Sequence, residues 1–158
     1  MNGQTPPPIR GRTAAAIIDL LGRERLMTLA VNRPDGWPQA TTVGYVNERL
    51  DLYFSVARTS QKFANLQMDP RASVAIRFHG PHVGDGVGLS MGGRVEEVVD
   101  ADAAERIGRL LVERYPEAHV YCPSGDQAAL LRFRPSVVSA VGVAGGHSDP
   151  ETFSVGEG

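Results

Sequence analysis

Arg58-Thr59-Ser60-Gln61-Lys62 is the segment of this chain whose residue types and spacing best suit a bound ligand. The first backbone amides of a helix point outward without intrahelical partners, and the helix dipole adds partial positive charge at the same place. Thr59 or Ser60 supplies the cap and a hydroxyl donor. Arg58 and Lys62 add formal positive charge. Together they suit a phosphate monoester. Taken alone, the same residues are more often an ordinary capped surface helix with two solvated cations.

Other reactive residue types are sparse. His79 and His82 lie in His79-Gly80-Pro81-His82, His119 follows a helical stretch, and His147 sits behind Gly145-Gly146. None makes an HExxH or Cys/His metal spacing, so no metal site is expected. Each reads as a surface or loop histidine, with His147 also placed where a glycine-flanked tail can fold over a cofactor. Cys122 is the one cysteine, which precludes an internal disulfide and points to a reducing compartment, the cytoplasm. Beside Pro123 it reads as a small half-buried residue rather than a nucleophile. Trp37 reads as a turn-packing aromatic that a dimer partner would bring near a ligand. Gly84-Asp85-Gly86-Val87-Gly88 has dinucleotide-like glycine spacing without the strand-before, helix-after context, and is set aside. No side chain stands out as a general acid or base, so catalytic residues stay unassigned.

The elements that must position Arg58 to Lys62 follow from periodicity. Residues 1–10, with Pro6-Pro7-Pro8, read as a flexible tail. Thr13 caps a short helix in which Ala14, Ile17, Ile18 and Leu21 recur at helical spacing up to about Arg23. The period then changes to two. Leu26 to Val31 is a strand, Pro34-Asp35-Gly36 a turn, and Gln39 to Val46 a second strand. Asn47-Glu48-Arg49 makes a turn, and Leu50, Leu52, Phe54 and Val56 alternate with polar residues. A helix of two to three turns follows, with Phe63 and Leu66 on one side, and Asp69-Pro70 stops it. Ala72 to Phe78 alternates again, and so does Val87 to Val95, whose glycines signal a bulge or a close backbone approach. Asp100 or Asp102 caps a last helix, ended by Tyr115-Pro116. Two final strands, Leu130 to Phe133 and Val137 to Val141, are broken by Pro135, and the tail from Gly142 reads as irregular.

The chain reads as mainly β (α+β): six to seven strands in a closed or nearly closed antiparallel barrel, with helices plugging the ends. Residues 11–142 form one domain between the tails 1–10 and 143–158. With 158 residues, 42% hydrophobic and 22% charged, the chain supports a single core. A formal net charge of -2 argues against a general nucleic-acid or anionic-membrane binder, and no window has the apolarity of a membrane span. A barrel this small has its interior filled by side chains, so a large ligand sits outside it, at a subunit interface.

Five pieces, in order, carry a resemblance. They are Leu26-Met27-Thr28-Leu29-Ala30-Val31; Asp35-Gly36-Trp37-Pro38; Leu52-Tyr53-Phe54-Ser55; Ser60-Gln61-Lys62-Phe63-Ala64-Asn65-Leu66; and Asp69-Pro70-Arg71-Ala72-Ser73-Val74. Phe133-Arg134-Pro135-Ser136-Val137-Val138-Ser139 continues it. This run resembles the FMN-binding split barrel of the pyridoxamine 5'-phosphate oxidase-like superfamily. The resemblance implies that the backbone of Thr41, Thr42, Val43 and Gly44 lies along the isoalloxazine ring. It also implies that Phe54 and Ser55 contact the flavin or its ribityl phosphate, and that Ser60, Gln61 and Lys62, with Arg58 beside them, reach the phosphate. It departs from the oxidase at Thr41, where an arginine holds the FMN phosphate, at Val46, where a lysine meets substrate, at Val87, where a glutamine stands, and in lacking the C-terminal Arg-x-His element. Pyridoxamine phosphate oxidation is therefore not expected. The resemblance implies a homodimeric FMN-dependent oxidoreductase on an unidentified small molecule, its cofactor at the subunit interface. A deazaflavin-coenzyme-dependent reductase, or a non-catalytic flavin- or haem-binding protein, are the alternatives on the same fold.

Overall fold

Strict alternation along the sequence becomes strict alternation of burial in the computed structural model, which describes residues 5–78, 87–117, 125–142 and 151–156. Along β5 (Arg71–Phe78) every second residue is buried. β1 (Leu26–Asn32) buries Met27, Leu29 and Val31 in the same way. These rows face one interior because successive strand side chains point to opposite sides. The remaining elements are α1 (Gly11–Arg23), β2 (Pro38–Gly44), β3 (Val46–Glu48), β4 (Asp51–Ala57), α2 (Gln61–Met68), β6 (Val87–Glu97), α3 (Ala101–Arg114), β7 (Ala128–Val141) and β8 (Glu151–Ser154).

The sheet runs β2-β1-β5-β6-β7-β4-β3, with β8 added to β7, and its pairings are antiparallel. It curls into a half-barrel whose interior holds Leu29, Leu52, Phe54, Val74, Leu131 and Phe133. Ile17 and Leu21 of α1 and Leu66 of α2 join that core, each such burial being worth about 1.5–3 kcal/mol. α3 lies on the opposite face, where Ile107 packs on Val46 and Tyr53.

The structure differs from the sequence reading at several points, and each difference has a long-range cause. The second strand does not run through Val46: it stops at Gly44, and β3 begins at Val46. Tyr45 makes the corner. Its ring is fully buried, its hydroxyl donates to the Leu21 carbonyl at 2.8 Å, and its amide donates to the Tyr115 hydroxyl at 2.8 Å. The last two strands are one, β7, despite Pro135. The register on β6 shifts there, because Val137 pairs with Gly92 while Pro135 pairs with Gly93. Proline has no amide to give a ladder and is tolerated at such a bulge. Gly93 permits it, since a Cβ there would collide with the Arg134 carbonyl oxygen. α1 starts at Gly11, ahead of Thr13, with no side-chain cap.

The two tails also carry structure. β8 pairs with the second half of β7. The Ile9 amide donates to the Ser154 carbonyl, and the Ser154 amide to the Pro7 carbonyl, both at 2.9 Å. Ile9 and Val155 then pack on the core. Strand β8 brings the described strands to eight, against the six to seven expected.

Outside the barrel, directly paired positions carry small residues across five strands: Thr42, Thr28, Ala75, Ser90 and Ser139. This floor contributes to an open depression of about 450 Å³ reached by Arg77.

Candidate functional site

α2 begins where the sequence places it. Ser60 is the N-cap, in extended conformation, and its Oγ accepts from the Phe63 amide at 3.2 Å. That bond uses a lone pair and leaves the hydroxyl hydrogen available to a ligand. The Gln61 and Lys62 amides precede any intrahelical acceptor.

Lys62 is half-buried and has neither an ion-pair nor a hydrogen-bond partner among the described residues. Desolvation alone pushes its ammonium below the ordinary lysine value. Burying a cation without a partner is unfavourable, so the site carries a standing preference for an anion.

Arg58 is placed differently. Its guanidinium is engaged by the Glu97 carboxylate of β6 and lies 5.6 Å over the Phe63 ring. Glu97 raises the Arg58 pKa and in turn neutralises its charge. Of the two sequence-predicted cations, Lys62 is therefore the uncommitted one.

The run Thr41 to Gly44 does not present one face. Thr41 and Val43 pair with Leu29 and Met27 and share their inward face, while Thr42 pairs with Thr28 and faces out. Only the strand's backbone offers all four residues to one ligand. The Thr41 Oγ1 is buried and has no hydrogen-bond partner among the described residues. Gly44 has a reason unconnected with ligand room: a Cβ there would sit 3.0 Å from the Tyr115 ring, so Tyr115 fills the space the missing side chain leaves.

On β4, the Phe54 ring is fully buried in the core, which leaves its backbone as its route to a ligand, whereas Ser55 is half-buried on the other face. Among the described residues, β3 pairs with β4 only as far as Tyr53, and β2 pairs only with β1. Two unpaired strand edges thus flank the split, and α2 packs against β1 and β4 beside it.

Gln39 and Asn65 were given no role by the sequence. The Gln61 Nε2 donates to Asn65 Oδ1 at 2.9 Å, and Asn65 Nδ2 donates to Gln39 Oε1 at 3.0 Å. Asn65 is 1% exposed. The available signal was the glutamine and asparagine four apart on one helix face, a spacing that lets them meet.

The group implied by this fold is a flavin phosphate, and the residues fit it. Lys62 and the helix-start amides suit the phosphate, the orphaned Thr41 hydroxyl lacks a partner, and free backbone edges suit a planar ring. His79, His82, His119, His147 and Cys122 lie outside the described residues. Among the described residues no group of three His, Cys, Asp or Glu is arranged to hold a metal, and no helix is long and apolar enough to cross a membrane.

Comparison with known proteins agrees with this fold. The family described as pyridoxamine 5'-phosphate oxidase matches residues 13–142. A haem-binding protein from Mycobacterium smegmatis is similar in structure, with a TM-score of 0.79 at 20% identity; the match covers 92% of this chain, which spans 59% of that protein's chain. An FAD-binding protein from Mesorhizobium loti matches with a TM-score of 0.66 at 22% identity, covering 77% of this chain and 88% of the other. The haem storage protein HutZ from Vibrio cholerae matches with a TM-score of 0.64 at 15% identity, with the same shares of 77% and 88%. Identities this low establish the fold alone. No protein with a curated description matches. A family match over residues 13–142, on a curled eight-stranded sheet with α2 at its split, places the chain in the pyridoxamine 5'-phosphate oxidase family, as a split-barrel member distinct from the oxidase itself.

Proposed function

We propose that this chain is an FMN-binding oxidoreductase acting on a small molecule. The observation that carries the reading is Lys62, a half-buried cation with no partner among the described residues, at the Ser60-capped start of α2. Lys62, Ser60 and the Gln61 amide hold the phosphate. The strand backbone from Thr41 to Gly44 supports the ring, with Phe54 and Ser55 facing the ribityl side through β4. Bound flavin supplies hydride and electron transfer, while the protein orients it and shields it from water.

The working unit is a homodimer in the cytoplasm. The floor of Thr28, Thr42, Ala75, Ser90 and Ser139 lets a second copy approach closely, and a small barrel needs a partner to enclose a cofactor that lies outside it. A deazaflavin coenzyme is the alternative at the same seat, because Thr41 replaces a second cation there. Flavin or haem binding without catalysis is a further reading, its haem form supported by the likeness to the Mycobacterium smegmatis haem-binding protein.

The absorbance spectrum and mass of the ligand released from purified protein decide among these. Flavin bands and the FMN mass are expected. A haem Soret band, or colourless protein that takes up no added FMN, overturns the proposal. Sedimentation at micromolar concentration tests the dimer, and a monomer there removes it.

A further inference from the structure

We propose that Gln39 and Thr41, held in place by Asn65, form a second, uncharged half of the phosphate seat, standing where a second cation is missing from β2. This rests on the flavin reading above and names the residues that complete its anion site.

Asn65 is the starting point. A buried carboxamide is unfavourable unless both its ends are used, and here both are. Its oxygen accepts from Gln61, at the mouth of α2, and its nitrogen donates to Gln39 on β2. An apolar residue at this position would bury as well and tether nothing. The hydrogen bonds also run in one direction, from Gln61 through Asn65 to Gln39. They consume the Gln39 oxygen and leave its Nε2 hydrogens without a partner among the described residues.

Thr41 lies two positions along the same face of β2, roughly 7 Å on by strand rise, and its buried Oγ1 is also unpartnered. Two neutral donors on one strand face therefore stand beside a tether that leads to the residue preceding Lys62. Arg58 supplies no free charge, because Glu97 engages it. An anion at α2 meets one formal cation and these neutral donors. A phosphate has several acceptor oxygens and takes hydrogen bonds from uncharged groups as readily as from charged ones. Asn65 is a positioning residue: it orients Gln39 and touches no ligand.

The test compares FMN with riboflavin, which keeps the ring and lacks the phosphate. Affinities are measured by flavin fluorescence titration on the full chain, with melting temperatures recorded for each variant. Gln39→Leu and Thr41→Val each weaken FMN about tenfold, the effect of one lost hydrogen bond to a charged group, and leave riboflavin unchanged. Asn65→Leu has the same effect, because an apolar side chain of similar size adds no charge and releases Gln39. Asn65→Leu combined with Gln39→Leu is no worse than either alone. Neither neutral-donor variant alters the salt dependence of FMN affinity, whereas Lys62→Ala flattens it.

Equal losses for FMN and riboflavin would show that Gln39 and Thr41 face the ring, and would overturn the proposal. Unchanged FMN affinity in both single variants would overturn it as well, with the flavin reading intact. Wild-type protein that binds neither compound ends the flavin reading and this inference together.

Discussion

Two ends of this barrel treat their polar groups in opposite ways. At the corner between β2 and β3, everything is answered. The Tyr115 hydroxyl accepts from the Tyr45 amide and donates to the Tyr45 carbonyl, 2.7 Å away. Arg25 lies 4.8 Å over the Tyr115 ring and pairs with Glu117 at 2.5 Å. Arg114 donates to the Gly22 and Tyr45 carbonyls, and Arg106 pairs with Glu48. At the split, by contrast, among the described residues Lys62 has no partner, the Thr41 hydroxyl is buried and unmatched, and two strand edges are unpaired. Buried polar groups in folded proteins are matched unless something else is meant to match them. The corner is built for stability, and the split is where we propose that a ligand sits.

That contrast predicts which substitutions move stability and which move binding. Tyr45→Ala opens a cavity in the corner and leaves the Leu21 carbonyl without its donor. It should cost about 3–5 kcal/mol in denaturant unfolding, and a loss below about 1 kcal/mol would show that the corner is not a keystone. Lys62→Ala should do the reverse. FMN affinity falls by roughly ten- to a hundredfold, as expected for a charge-assisted contact, and the melting temperature does not fall, because an unpaired desolvated charge is removed. A variant that melts lower and binds as before would make Lys62 a structural residue.

Thr41→Val sharpens the comparison at a single atom. Replacing an unmatched buried hydroxyl by a methyl should leave the ligand-free protein as stable as before or raise its stability by up to about 1 kcal/mol. A clear destabilisation in urea would mean that the hydroxyl already has a partner.

The smallest effect concerns pH. Burial lowers the Lys62 pKa. Between that lowered value and the ordinary one, the unfolded chain holds the proton and the folded chain does not, so ligand-free stability rises as pH climbs through the window. A bound phosphate favours the charged lysine, so FMN affinity should fall across the same window. Titrations at stepped alkaline pH check this, and a slope that survives in Lys62→Ala would assign it to another group.

What the sequence made legible was local. Alternation in β4 and β5 gave their inward rows, and of the two cap candidates read at each helix from neighbours within three residues, Ser60 and Asp100 are the caps. The end of β2 could not be read because its cause, Tyr115, lies 70 residues away. The continuity of β7 depends on Gly93, which belongs to another strand. The site divides in the same way. The positions of Ser60 and Lys62 at the helix start were evident. That Glu97 engages Arg58, that Tyr115 explains Gly44, and that Asn65 ties Gln39 to Gln61 all depend on partners brought together only by folding.

β7 uses one edge twice, for β4 along its first half and for β8 along its second, and residues 7–9 then lie on β8. Residues 7–9 are thus held against Ser154, a residue far from them in sequence. During synthesis they have no strand to join until Ser154 has been made, so this edge is completed only after the rest of the sheet is available. The same closure keeps residues 7–9 and Ser154 side by side. A short linker joining them, with new ends opened at the Pro34-Asp35-Gly36 turn, would give a permuted chain that keeps the sheet and its split.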